Sequence, residues 1–172
     1  KSPKDMVGMK YRIPNLPIFE KNARAMGATP VVVAWSEYPF ALMQGVVDGG
    51  ECSKDSYRSS GLYESAKYVA DVDYAYPVEQ ICFSTQFWNS LSEEDQKVIS
   101  DAAAQVASHH SERTLDKWEE DKEWLINEGG VTFCDIDRQA FIDATEPLGK
   151  ELQDEGFFTT KDLYDQTRQF NK

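Results

Sequence analysis

The chain has 172 residues, 41% hydrophobic and 12% aromatic, enough to bury one ordinary core without requiring two independent domains. Thirty acidic against eighteen basic residues give a formal charge of −12, which repels nucleic-acid phosphates and anionic lipid and excludes nucleic acid as an expected partner. Its strongly apolar stretches, such as residues 30–35, are far shorter than the ~20 residues of a membrane helix, and no charged-then-apolar secretory leader opens the chain.

Strand and helix patterns alternate through the first half, which predicts an α/β sheet with crossover helices. Residues 9–13 read as a strand stopped by Pro14, 18–26 as a helix closed by Gly27, 30–34 as a β-branched strand and 38–47 as a helix ended by Asp48-Gly49-Gly50. A third short strand is expected at 51–53 and a helix at 56–65. Residues 67–76 then run extended toward Pro77, a hinge is expected at 74–77, and 79–84 alternate as a further strand.

The second half changes character at Leu91-Ser92-Glu93-Glu94-Asp95, where Ser92 and Asp95 resemble a capping box at the start of a long helix. Apolar or small residues from Ile99 to Leu125 keep helical spacing, so the helix is expected to reach Asn127, a length of about 50 Å, before Gly129-Gly130 ends it. A short strand at 131–136, an amphipathic helix at 138–153 and a terminal helix at 160–170 capped by Thr160 complete the reading.

Three successive strand-to-loop junctions carry the candidate chemistry. Lys10-Tyr-Arg-Ile-Pro14 supplies a guanidinium at a strand end, Ala34-Trp-Ser-Glu37 an aromatic face, and Gln44 to Ser53 a Gly-rich polar turn. An open α/β sheet presents groups to a small ligand at such places. Arg12 is suited to hold a carboxylate bidentately, although Glu37 or Glu51 would equally make it a structural ion pair. Trp35 offers a flat apolar wall with one donor, or a core residue. Tyr57, Tyr74 and Tyr76 are candidates to line the cleft or to pack in the core.

These elements resemble the solute-binding proteins of the tripartite ATP-independent periplasmic (TRAP) transporters, the DctP-like family. Its members carry a Lys-x-Arg-Val/Ile-Pro element, an Ala-Phe/Trp-Ser-Glu element and a Gln-x-x-x-Val-Asp-Gly-x-Glu-Asn element, matched here by 10–14, 34–37 and 44–52. Residues 87–97 resemble the family's helix start around a Trp, a Leu and Glu-Asp-Gln-Lys. The resemblance covers nearly the whole chain and implies that an upstream lobe is missing, so that the chain is the C-terminal portion of a two-lobe receptor.

On that resemblance the fold is an α/β, periplasmic-binding-protein-like lobe with a mixed sheet, flanking helices and a long lobe-spanning helix. Residues 1–73 form the second-lobe core, 74–84 the hinge and a first-lobe strand, 92–128 the spanning helix, and 131–172 the C-terminal strand and helices. The implied function is a periplasmic receptor that binds a small organic carboxylate, closes its two lobes on it and delivers it to the TRAP permease subunits. Ligand-binding residues would be Arg12, Trp35, Glu51, Cys52, Ser53, Tyr57 and Tyr76. Cys52 departs from the family's Asn, replacing an amide that donates and accepts by a thiol that hydrogen-bonds weakly; either Glu51 and Ser53 take over part of that role or the substrate is less polar at that end.

No catalysis, cofactor or metal is expected. Cys52, Cys82 and Cys134 have spacings that fit no zinc or redox motif and are expected to be buried or half-buried, with at most one disulfide. The adjacent His109 and His110 point about 100° apart on a helix. Trp118, Trp124 and Phe133 or Phe141 read as core. The competing readings are a non-catalytic module docking through the helix at 92–127 and an acid-base enzyme using Glu37 and Glu51. Apolar surface left uncovered near 80–84 and along the long helix predicts that the isolated chain is a homo-oligomer.

Overall fold

A computed structural model describes residues 1–73 and 80–170. After a short 3₁₀ turn, Pro3–Met6, the chain enters β1 (Lys10–Ile13) and then α1 (Pro17–Ala25), whose N-terminal proline lacks an N–H that would have no helical partner there. β2 (Thr29–Val32) leads through a 3₁₀ turn, Trp35–Glu37, directly into α2 (Tyr38–Met43), and β3 is only Gly49–Gly50. The three strands are parallel in the order β2-β1-β3, with Arg12 on the central strand opposite Val31 on one side and Gly50 on the other.

The third strand thus lies two residues before the expected 51–53. Its pairing with β1 runs through Tyr11–Gly49 and Arg12–Gly50, which leaves Glu51 and Cys52 in the loop beyond the sheet. Gly50 is required where it stands. A Cβ there would lie 2.7 Å from the Arg12 Cβ and 2.6 Å from the Tyr38 hydroxyl, contacts that no side chain tolerates without moving its neighbours.

α3 (Lys54–Ser59) is shorter than the expected helix over 56–65, because Gly61 adopts φ of 70° and the chain continues as a 3₁₀ turn, Leu62–Glu64. β4 (Tyr68–Val69) follows. The expected hinge at 74–77 lies outside the described residues. The strand expected at 79–84 is not formed over 80–84, where no other described strand offers a ladder of hydrogen bonds. α4 (Thr85–Ser90) begins at Ser84, whose side chain accepts from the Phe87 N–H.

α5 (Glu93–Asn127) has the expected length and start: Ser92 Oγ accepts from the Asp95 N–H at 3.1 Å and donates to the Asp95 carboxylate at 2.7 Å. β5 (Thr132–Phe133) pairs in parallel with β4, Tyr68 opposite Thr132. Both ladders among the described residues are therefore parallel, and no antiparallel member of the expected mixed sheet lies among them. α6 (Arg138–Asp154) matches its expectation, with Asp137 accepting from the Ala140 N–H. α7 (Leu163–Arg168) is shorter than expected, and Asp162 rather than Thr160 takes the N-cap position.

The main core gathers Tyr38, Ala41, Val47, Tyr57, Leu62, Trp118, Leu125 and Val131, so the C-terminal half of α5 is sealed against α2, α3 and the turn after it. Trp118 meets Phe133 edge-on, and Trp124 and Phe133 pack against the cluster, the core role read from their spacing. A second contact joins α1 to α6 through buried Ala23, Met26, Phe141 and Leu152, flanked by Lys21 bridging Glu151 and Glu155. The N-terminal half of α5 is mostly exposed, shielding little more than Gln96, Ile99 and Ala103 beside the 81–88 segment.

Candidate functional site

Arg12 sits on the central strand one residue before its end, and only 4% of its side chain is exposed. Burial of a guanidinium is costly unless its donors are met. Nε donates to the Val33 carbonyl at 2.9 Å, and Nη1 donates to Glu51 Oε1 at 3.0 Å. The sheet order makes this possible: Val33 follows β2 on one flank of β1 and Glu51 follows β3 on the other, so the fork is held from both sides at the carboxyl ends of three parallel strands.

Two rings enclose the guanidinium. Its carbon lies 5.4 Å from the Trp35 ring centroid and 5.1 Å from that of Tyr38, within cation–π reach. The rings stand 5.9 Å apart at 56°. Their convergence comes from the 3₁₀ turn, in which residues three apart eclipse one another. Tyr38 is buried, whereas Trp35 is 41% exposed and forms an open wall.

Sequence reasoning singled out Arg12, Trp35, Glu51 and Cys52, and the structure brings these four to one place. It missed Tyr38, read there only as the start of a helix, although an aromatic three residues after Trp35 was the available signal. It also missed the Val33 carbonyl. Of the two acids offered as partners of Arg12, Glu51 takes the role, and Glu37 is exposed on the turn.

Of the two roles the sequence left open for Tyr57, cleft or core, its ring takes the core one, and its hydroxyl donates to the Ala66 carbonyl. Ser53 precedes α3, and its hydroxyl is engaged with that of Ser56 at 2.8 Å. Tyr74 and Tyr76 lie outside the described residues.

Electrostatics follow from burial. Glu51 is held above the ordinary carboxyl range, because burial raises it more than the Arg12 charge lowers it. Cys52 is pushed up to about 12, chiefly by burial and then by Glu51 and Asp55, so its thiol is neutral and a poor nucleophile. Tyr38 is likewise raised, first by burial. Arg12 is thus the permanent cation of a pocket whose neighbouring thiol and phenol stay neutral. The three cysteines are free, Cys52 and Cys134 half-buried and Cys82 exposed rather than buried as expected.

Two depressions elsewhere are structural in character. One, of about 370 Å³, lies between α3 and α5, where Arg58 and Lys117 both bind Asp121 and Arg58 covers the Trp124 ring at 3.9 Å. The other, of about 360 Å³, is lined by Phe83, Trp88, Ile99 and Ala103. Among the described residues no group of three or more His, Cys, Asp or Glu side chains is placed to hold a metal ion, and no helix is long and apolar enough to cross a membrane.

The parallel α/β layer thus carries a buried, aromatic-flanked guanidinium at the carboxyl ends of its strands. Residues 1–155 match the family model described as bacterial extracellular solute-binding protein, family 7 (DctP). A solute-binding protein of Roseobacter denitrificans is 34% identical over 140 residues, 81% of this chain and 43% of its own length. A TRAP periplasmic solute-binding protein from Ochrobacterium anthropi, solved with bound L-fuconate, superposes with a TM-score of 0.86 at 32% identity over 96% of this chain and 54% of its own. The structure of that same Roseobacter denitrificans protein, solved with bound L-galactonate, gives a TM-score of 0.85 at 29% identity over 99% of this chain and 55% of its own.

The chain belongs to the DctP family of extracellular solute-binding proteins, a family of receptors rather than enzymes. It spans about half the length of the relatives it matches.

Proposed function

We propose that this chain is the guanidinium-bearing part of a periplasmic TRAP receptor that binds a small organic carboxylate, closes on it and hands it to the membrane permease subunits. The observation that carries this reading is Arg12, buried at the carboxyl ends of three parallel strands between Trp35 and Tyr38. Among the described residues Nε is engaged by Val33 and Nη1 by Glu51, and Nη2 is the edge this reading assigns to a carboxylate. Trp35 gives the carbon skeleton a flat face, as sugar-derived ligands use. Sugar acids of the L-fuconate and L-galactonate type are the first candidates, since two relatives bind them.

In this reading residues 1–73 are the second-lobe core, 74–84 the hinge and a first-lobe strand, and 92–128 a helix spanning both lobes. Ligand closes the receptor by binding the closed state better than the open one. The 172-residue chain by itself pairs with a second copy through the apolar surface of Phe83, Phe87, Val98 and Val106, all exposed here.

The test is a thermal-shift scan of the full-length protein against L-fuconate, L-galactonate, smaller mono- and dicarboxylates, and the matched amides. A shift for an acid that its amide does not reproduce is expected. In Arg12→Lys, which keeps the charge and loses the planar fork, affinity for that acid should fall by about 2 kcal/mol. Unchanged affinity would remove Arg12 from the site, and no shift for any acid would leave the receptor reading without support.

A further inference from the structure

The cation that a carboxylate ligand needs already carries one carboxylate, that of Glu51. Glu51 Oε1 lies 3.0 Å from Arg12 Nη1, and the Glu51 side chain is only 18% exposed. It follows directly on Gly50, whose position is fixed by contact with Arg12 and Tyr38. A second carboxylate arriving at the same guanidinium would place two negative groups around one positive one beside a mostly buried Glu51, an arrangement that raises the proton affinity of one of them.

The other groups facing Glu51 offer no relief. Tyr38, from α2, and Cys52, on its own loop, are both held neutral. Asp55, at the start of α3, adds negative charge next to Cys52, and Tyr57 lies beyond them with its phenol likewise raised. Among the described residues Arg12 is therefore the single cation acting on Glu51, and its charge opposes the effect of burial on that carboxyl.

We propose that Glu51 is an internal occupant of the Arg12 fork, and that it takes up one proton from solvent when a ligand carboxylate binds there, an inference that rests on the receptor reading above. The balance is simple: the ligand enters as an anion, a proton leaves the buffer and forms an O–H bond on Glu51, and the site gains no net charge. The protonated carboxyl changes from acceptor to donor and can bond the incoming carboxylate. Glu51 thus sets the pH range of binding and favours anions over neutral analogues, which carry no charge to drive the uptake.

The experiment is calorimetric titration of the full-length protein with L-galactonate, which stays ionised throughout, from about pH 6 to about pH 8 in buffers of differing ionisation enthalpy. The native protein should take up a proton, and its Kd should tighten by up to about tenfold for each pH unit lowered. Glu51→Gln presents a permanent donor and cannot titrate, so it should show no proton uptake, a Kd flat with pH, and tighter binding than the native protein near pH 8. Native binding without proton uptake, or the same uptake persisting in Glu51→Gln, would overturn the inference while leaving the receptor reading intact. Failure of both proteins to bind L-galactonate would overturn it together with the assignment to sugar acids.

Discussion

Gly50 shows how one residue without a side chain builds the site. It stands where β3 touches Arg12, and the space a Cβ needs is filled by the Arg12 Cβ and backbone oxygen and the Tyr38 hydroxyl. Gly50→Ala should therefore destabilise the fold by about 1–3 kcal/mol, as overpacking does, and should weaken carboxylate binding by pushing Arg12 off its partners. Chemical denaturation and the thermal-shift scan read the two effects, and native-like stability would show that the strand gives way easily. Arg12 and Trp35 were legible in the sequence because each lies at a strand end in a recognisable short element. The choice between Glu37 and Glu51 was not, since it depends on β3 stopping at Gly50, and Tyr38 was hidden because its approach to Arg12 comes from a 3₁₀ turn that no hydrophobic period announces.

At the scale of elements, strong local signals gave correct results and marginal ones drifted. α5 begins just after its Ser92 cap and ends at Asn127 as its capping pair and glycines indicate, while the two-residue strands β3, β4 and β5 take their limits from pairing with partners distant in sequence. The bond between α3 and α5 is also non-local. Asp121 on α5 is buried and receives Arg58 from α3 and Lys117 from its own helix. Burial alone would raise its carboxyl, but the two hydrogen-bonded cations overcome this and hold it below the ordinary range.

Asp121→Asn should cost about 1–2 kcal/mol at neutral pH, a figure reduced because both cations are partly exposed. The sign of the pH dependence follows from the lowered value. The folded state binds fewer protons than the unfolded one as pH falls through the acid range, so the stabilisation is complete above about pH 4 and is lost as pH drops toward the folded-state value. Urea denaturation at a series of pH values should show the native protein and the variant converging in acid. A constant gap would mean that Asp121 acts through shape rather than charge.

For the whole molecule, the distribution of apolar surface is uneven. The C-terminal half of α5 is sealed by Trp118 and Leu125, but Ile81, Phe83, Phe87, Val98 and Val106 lie open around its other half. A patch of this kind on a free chain favours association. Light scattering of the 172-residue chain should give a dimer or larger species, and Phe87→Ser with Val98→Ser should shift it toward monomer. A monomer at all working concentrations would refute the pairing. Charge bears on this as well, since −12 over 172 residues opposes close approach, so association should strengthen with added salt.

The long α5 has a mechanical consequence. It is a rod of about 50 Å clamped at one end by the tryptophan-lined core and by the Asp121 cations, with its other end reaching far from that clamp. Such a rod is a lever. A tilt of about 5° at the clamp sweeps the far tip through about 3 Å over the ~37 Å between Trp118 and Glu93, about the span of a hydrogen bond, so a repacking around Trp118 too small to disturb the sheet would still be registered as a displacement at Glu93.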